Sequence, residues 1–201
     1  MKNICLILCI LVLNVSCAQE KSELAGETEF QRELNADYKD ASKSPLTPKD
    51  LKTFKALEFF PVNDTFKVTA NFKLTPNTKP FKMPTSTTRT PTYKCYGIAT
   101  FTIAGKEYSL EIYQNQDPNR DPKYKDDLFL PFTDETNGFA SYGGGRYIDL
   151  KIPAGNTIEI DFNHAYNPYC AYSDRYSCPI PPRVNFLAVA INAGVKAFKK
   201  H

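Results

Sequence analysis

The chain has 201 residues, of which 42% are hydrophobic, and a formal net charge of +3. This length is enough for one domain with a proper hydrophobic core, and the charge is too small to indicate a nucleic-acid partner. Fifteen prolines indicate many turns and little long helix.

The first 16 residues are typical of an export signal. Lys2 supplies the positive charge, and residues 4–15 are almost wholly apolar but shorter than the roughly 20 residues that span a membrane. We expect lipoprotein processing, with Cys17 as the lipidated first residue. Cleavage after Ala18 by an ordinary signal peptidase is the alternative, and a buried N-terminal helix is a third interpretation.

This interpretation predicts a protein of the cell envelope, attached to a membrane by lipid at Cys17 and facing the periplasm or the cell surface. Residues 17–29 are then a polar tether and residues 30–201 a single β-rich domain. Removal of residues 1–16 leaves a net charge of +2, which again gives no reason to expect nucleic acid.

Two short helices are expected at the start of the domain. Phe30, Leu34 and Tyr38 are spaced four residues apart, so they share one face of a helix that runs to about residue 41. Thr47 followed by Pro48 predicts a second helix, with Thr as N-cap and Pro at the first position, ending near residue 57.

From residue 59 onward the hydrophobic period is two, which is typical of β-strands. The turn signals at 104–107 and 153–156 predict two hairpins. The predicted strands cover residues 66–74, 96–103, 108–113, 128–132, 147–152, 157–162, 186–191 and 195–198. The sequence therefore predicts a mainly β domain, an antiparallel barrel or sandwich with one or two short N-terminal helices.

Residues 142–182 hold the densest group of unusual residues, including three consecutive glycines. Gly144 and its neighbours lie before a strand and lack the lysine of a phosphate loop. They predict either a backbone that approaches a ligand, with Arg146 binding an anion beside Tyr147, or a plain bulge or strand bend.

Asp161, Asn163 and His164 place a carboxylate, an amide and an imidazole at the end of a predicted strand. Histidine is the usual general base near neutral pH, a nearby aspartate can orient it, and Cys170 could then be a nucleophile. In the alternative interpretation, Asp161 and Asn163 bond to the backbone of the following loop and His164 is an ordinary half-exposed residue.

Cys170 and Cys178 have seven residues between them. In an oxidising compartment a disulfide is the simplest interpretation. A metal site is less favoured because no second cysteine pair lies near, and a pair of reduced thiols is the remaining alternative. Cys95 is read as a buried thiol, or as one end of a longer-range bridge. No metal and no cofactor are predicted.

Four tyrosines lie close together in the same segment. If they are exposed, they form a stacking surface for a sugar or an aromatic ligand, with Asn167 as a further candidate contact; otherwise they attach the long loop to the sheet. The four are Tyr166, Tyr169, Tyr172 and Tyr176.

The glycine-rich segment, the run DFNHAYNPYCAYSDRYSCPIPP and the apolar VNFLAVAINAG together resemble the bacterial family of domains of unknown function numbered 1684. Matching segments extend over about residues 28–199. The resemblance implies a β-rich, often exported domain and no particular reaction. Val184 and Val195 stand where that family commonly has glutamate.

Three hypotheses follow. The first is an exported, lipid-anchored domain that binds a small molecule, a glycan or a partner. The second is a hydrolase that uses Asp161 and His164 with Cys170 or Arg146. The third is a structural domain with no ligand at this motif. A bonded Asp161–His164 pair in a pocket favours the enzyme, and an open tyrosine-lined groove without that pair favours binding.

Overall fold

The computed structural model describes residues 26–198. The predicted export signal, Cys17 and nearly all of the tether lie outside these residues. Within the described part of the chain, no helix is both long enough and apolar enough to cross a membrane.

Both predicted helices are present. Helix α1 comprises Glu29–Lys39, and its N-cap Thr28 accepts a hydrogen bond from the backbone of Gln31. Helix α2 comprises Pro48–Thr53 and begins as predicted, with the side chain of Thr47 capping it. It ends four residues before the expected position.

Eight strands form one sheet, in the order β6-β5-β4-β3-β1-β7, with β2 added on β3 and β8 added on β5. Every pairing is antiparallel except that of β8 with β5. The predicted mainly β, antiparallel class is confirmed, and the sheet curls into a half-barrel. The strands are β1 Lys67–Leu74, β2 Phe81–Lys82, β3 Thr92–Ile103, β4 Lys106–Asn115, β5 Asp127–Asp134, β6 Arg146–Lys151, β7 Thr157–Asp161 and β8 Phe186–Leu187.

The first predicted hairpin is confirmed. Strands β3 and β4 pair from Ile103↔Lys106 outward, and the two residues between them have positive φ, 49° at Ala104 and 79° at Gly105. A two-residue turn with both φ positive matches the right-handed twist of the strands that it joins.

The second predicted hairpin is wrong. Strand β6 pairs with β5 and β7 pairs with β1, so the two strands joined by residues 152–156 lie at opposite ends of the sheet. The backbone of this connection bonds outward: Ile152 N donates to Asp126 O and Phe72 N donates to Asn156 O. A short connection between the two end strands requires the sheet to curl.

The predicted closing strands near the C-terminus are also wrong beyond Phe186–Leu187. Val195 makes only an isolated bridge to Phe59. The carbonyl groups of Ile191 and Ala193 instead accept bonds from the buried side chain of Arg146. This segment therefore crosses one end of the sheet as an irregular chain.

The main hydrophobic core fills the inside of the curl. The ring of Phe162 lies 5.8 Å from that of Phe101 and 5.2 Å from that of Phe132. A second cluster joins α1 to the segment after β7, where the fully buried rings of Tyr38 and Tyr172 meet edge-on at 4.9 Å. Helix α1 is thereby held beside residues 163–183.

Candidate functional site

A groove of about 1020 Å³ lies between three parts of the fold. One wall is the face of β5 and β6 that carries Phe129, Tyr147 and Asp149. The second wall is the segment 163–183, and the third is helix α1. Its volume is at the upper end of the range for small-molecule sites, about 300–1,000 Å³.

The segment 163–183 is fixed by covalent and backbone bonds. The predicted disulfide between Cys170 and Cys178 is present, with Cα atoms 6.1 Å apart. Backbone bonds of 2.9 Å join Ser86 N to Cys178 O and Ile180 N to Pro84 O. This wall is therefore rigid, and Cys170 has no free thiol, which corrects its candidacy as a nucleophile. Among the cysteines of residues 26–198, Cys95 is free and buried, as expected.

Three of the four tyrosines of this segment line the groove. Tyr166 and Tyr176 are half-buried, and 44% of Tyr169 is exposed. Tyr172 is fully buried against α1. Three of the four rings therefore border the groove, whereas Tyr172 attaches the loop to the helix.

Arg146 is fully buried and forms an ion pair with Asp134, with 2.8 Å between Nη2 and Oδ2. It also donates to the carbonyl groups of Ile191, at 2.8 Å, and Ala193. This corrects the expectation that Arg146 binds an anion, because the guanidinium faces protein and not the groove. Its role is to hold the C-terminal segment against β5.

The glycine run forms the turn into β6. Gly145 has φ of 88°, and a Cβ added there would lie 2.6 Å from the carbonyl oxygen of Phe132. Only glycine satisfies both conditions without strain. Gly144 is exposed and lies outside the groove. The strand-bend interpretation accounts for this run, and the ligand interpretation has no support.

Asp161 and His164 line the groove but do not form a bonded pair. The distance from His164 Nε2 to Asp161 Oδ2 is 3.9 Å, which is too long for a hydrogen bond. Asp161 Oδ1 instead accepts bonds from the backbone and the side-chain amide of Asn163, at 2.9 and 2.8 Å. The His164 ring stacks on Phe30 at 4.7 Å. The capping interpretation is therefore confirmed for Asp161, whereas the side chain of Asn163 bonds to the backbone N–H and carbonyl of Asn63 rather than to the following loop.

Asn167 is also structural. It is fully buried, and its side-chain amide donates to the carbonyl of Lys196 at 2.8 Å. Of the nine candidate binding residues, Tyr147, Asp161, His164 and Tyr166 line the groove. Within residues 26–198, no three His, Cys, Asp or Glu side chains converge as ligands for a metal ion.

Asp149, which no sequence motif marked, also lines the groove. Its Oδ2 accepts a 2.8 Å hydrogen bond from the hydroxyl of Tyr166. Burial raises the pKa of the Asp149 carboxyl, and the bond from Tyr166 offsets only part of that effect. The sequence signal that could have indicated Asp149 is the alternation of side chains along a strand, which places Tyr147, Asp149 and Lys151 on one face of β6.

Two arginines of the groove were also missed. Arg89 donates to the hydroxyl and the carbonyl of Ser177, at 3.1 and 2.6 Å. Arg120 lies 3.6 Å from Asp127, the first residue of β5. Both arginines come from polar loops that contain no recognisable motif. Their position in the groove depends on the fold of the whole chain.

The profile of a family described as "Protein of unknown function (DUF1684)" matches residues 52–196. The chain belongs to the DUF1684 family. An uncharacterized protein of Haloarcula marismortui, solved by NMR in solution, is 33% identical, with a TM-score of 0.66 over 85% of this chain and 92% of that one. No curated protein matches the sequence significantly. In this DUF1684 protein, helix α1 precedes the matched residues yet forms one wall of the groove.

Proposed function

We propose that this DUF1684 protein is an exported, lipid-anchored binding protein whose groove takes up a small molecule or a glycan. The observation that carries the proposal is the groove itself, which has tyrosines on one wall and lacks a bonded Asp161–His164 pair. Aromatic faces supply stacking area, and the polar groups among them orient a ligand.

A preformed site supports binding over a purely structural role. The disulfide and the bonds to residues 84–86 fix the tyrosine wall, so little conformational entropy is lost when a ligand binds. A packed loop without a cavity would have favoured the structural hypothesis, and here the loop borders about 1020 Å³ of open space.

The hydrolase alternative has less support. Its proposed nucleophile, Cys170, forms a disulfide with Cys178, and Arg146 forms a buried ion pair with Asp134. The Asp161 carboxylate accepts hydrogen bonds from the backbone N–H and the side-chain amide of Asn163. None of these groups is arranged for the roles that the alternative assigned to them.

A thermal-shift screen with sugars and small aromatic compounds tests the binding proposal. We expect a bound compound to raise the melting temperature, and Tyr169→Ala to abolish that shift by removing an accessible ring of the wall. Phe139→Ala is the matched control, since Phe139 is 89% exposed and lies outside the groove. A shift that survives Tyr169→Ala but not Phe139→Ala would place the site elsewhere and refute the proposal.

The anchor is tested by fractionation. Cys17→Ala should move the protein from the detergent-extracted membrane fraction to the soluble fraction, because the only proposed lipid attachment is lost. Cys9→Ala, a change within the same leader, should leave the distribution unchanged. Membrane association that persists in Cys17→Ala would contradict lipid anchoring.

A further inference from the structure

Asp149 lies among aromatic rings on the wall formed by β5 and β6. It is directly opposite Phe129 in the antiparallel pair, which places the two Cβ atoms about 5 Å apart. Tyr166 bonds to its carboxylate at 2.8 Å. The side chain of Asp149 is nevertheless exposed, because it faces the open groove.

The rings beside Asp149 contact each other edge-to-face. The centroids of Phe129 and Tyr147 are 4.7 Å apart with planes at 71°, and those of Tyr147 and Tyr166 are 5.9 Å apart with planes at 89°. Three aromatic side chains thus flank one carboxylate. Aromatic faces attract cations, most strongly where water is partly excluded.

The Asp149 carboxylate makes no direct contact with a cation, and Arg120 and Lys151 act on it only from a distance. The two nearest cationic side chains, Arg120 and Lys151, both pair with Asp127. Within the described residues Asp149 forms no ion pair, and its hydrogen bond comes from Tyr166. Asp149 keeps an exposed surface toward the groove, yet its surroundings disfavour the charged form of the carboxyl group and no ion pair offsets that effect. A cation from outside the chain would supply the missing charge.

The acidic side chains that line the groove outnumber the basic ones, although the chain as a whole is positive. Three basic and five acidic side chains line it, which gives the lining a net charge of −2 with His164 neutral, against +3 for the whole chain. Asp121 and Glu159 pair with Lys123 and Lys67, which lie outside the lining, so the acidic excess that remains unpaired is at Asp149 and Asp161. The basic residues are Arg89, Arg120 and Lys151, and the acidic ones are Asp121, Asp127, Asp149, Glu159 and Asp161.

We infer that the ligand of the groove carries an organic ammonium group, which sits against the Asp149 carboxylate and the rings of Phe129, Tyr147 and Tyr166. This inference rests on the proposed binding function and adds the class of ligand. It also explains why Asp149 forms no ion pair while the neighbouring Asp127 is paired with two cations.

The test compares choline with 3,3-dimethyl-1-butanol, its uncharged carbon isostere, by isothermal titration of the purified full-length chain at pH 7.5. Choline should bind about tenfold or more tightly than the isostere, because only the charge differs between them. This comparison uses the unaltered protein, so it does not depend on whether any variant folds.

Variants then locate the site. Asp149→Asn should abolish the preference for choline, and its amide oxygen can still accept the bond from Tyr166. Asp126→Asn is the matched control, since Asp126 is exposed and lies outside the groove. A preference that persists in Asp149→Asn would overturn the inference.

The pH dependence gives an independent readout. Choline affinity should fall as the pH is lowered through the raised pKa of Asp149, because protonation removes the charge that the ligand contacts. The other titratable groups that interact with Asp149 are Asp127, Arg120, Lys151 and the hydroxyls of Tyr166, Tyr93 and Tyr169. Asp149→Asn should flatten this dependence, and a profile unchanged by the substitution would contradict the role of Asp149.

The inference and the binding proposal can fail separately. If glucuronate or a neutral sugar binds in a manner that depends on Tyr169 and choline does not, the ammonium inference is overturned while the groove remains a binding site. If neither choline nor any compound of the sugar and aromatic screen binds, both proposals fail.

Discussion

Replacing Arg146 with methionine should lower the free energy of unfolding by about 3–5 kcal/mol, the usual cost of removing one partner of a buried ion pair. Asp134 would keep its bonds from the backbone of Thr136, at 2.8 Å, and Ile191, at 3.2 Å, but it would lose its cation. The carbonyl of Ala193 would lose the donor that Arg146 provides. Each buried acceptor left unpaired costs about 1–3 kcal/mol, so we expect the upper part of the range.

The assay is urea unfolding followed by circular dichroism, with Arg183→Met as the control because Arg183 is exposed. Adding Asp134→Asn to Arg146→Met should recover part of the lost stability, since the uncompensated buried charge is then removed. A loss below about 1 kcal/mol in the single variant would refute the structural role of Arg146. A double variant no more stable than the single would refute the charge argument.

Two other substitutions test the supports of the groove wall. Converting both Cys170 and Cys178 to serine should cost about 2–3 kcal/mol under oxidising conditions through loss of the short closed loop, and a difference that persists in excess reductant would contradict the disulfide as its cause. Gly145→Ala should cost about 1–3 kcal/mol, because φ is 88° and the new Cβ meets Phe132 O. Gly155→Ala, with no atom within 4 Å of its added Cβ, should be nearly neutral in the same urea unfolding experiment.

Features that depend on neighbouring residues could be predicted from the sequence. Thr47 and Pro48 fix a helix start through one side-chain oxygen and one missing N–H group, so the signal lies within two residues. The Ala104-Gly105 turn and the Cys170–Cys178 bond are similarly local. The alternating strands were also found, because half-burial imposes a period of two wherever a sheet has one solvated face.

The sequence predicted a strand pair correctly where the connecting turn determines the pairing. It failed where the arrangement of the whole sheet determines the pairing. The connection 152–156 looks like a hairpin turn, yet its flanking strands pair with β5 and β1. The free energy that decides this comes from pairing with residues 14 to 94 positions earlier in the chain, which no local pattern contains. The prediction of the C-terminal strands was wrong for a similar, non-local reason. The carbonyl groups of that segment accept hydrogen bonds from the side chain of Arg146 and not from a neighbouring strand.

Arg146 and Asp149 show why the site needed the structure. Both are charged residues of one six-residue strand, and the sequence favoured Arg146 because glycines precede it. Their environments differ because β6 presents them to different surroundings: Arg146 meets the carboxylate of Asp134 and is neutralised, whereas Asp149 meets aromatic rings and finds its nearest cations already paired with Asp127. A charged side chain indicates a binding site when the fold leaves it without an ion pair in a cleft. Whether it has an ion pair depends on the residues that the fold places around it. This is the reason that Asp149, and not Arg146, is the first position at which to test ligand recognition.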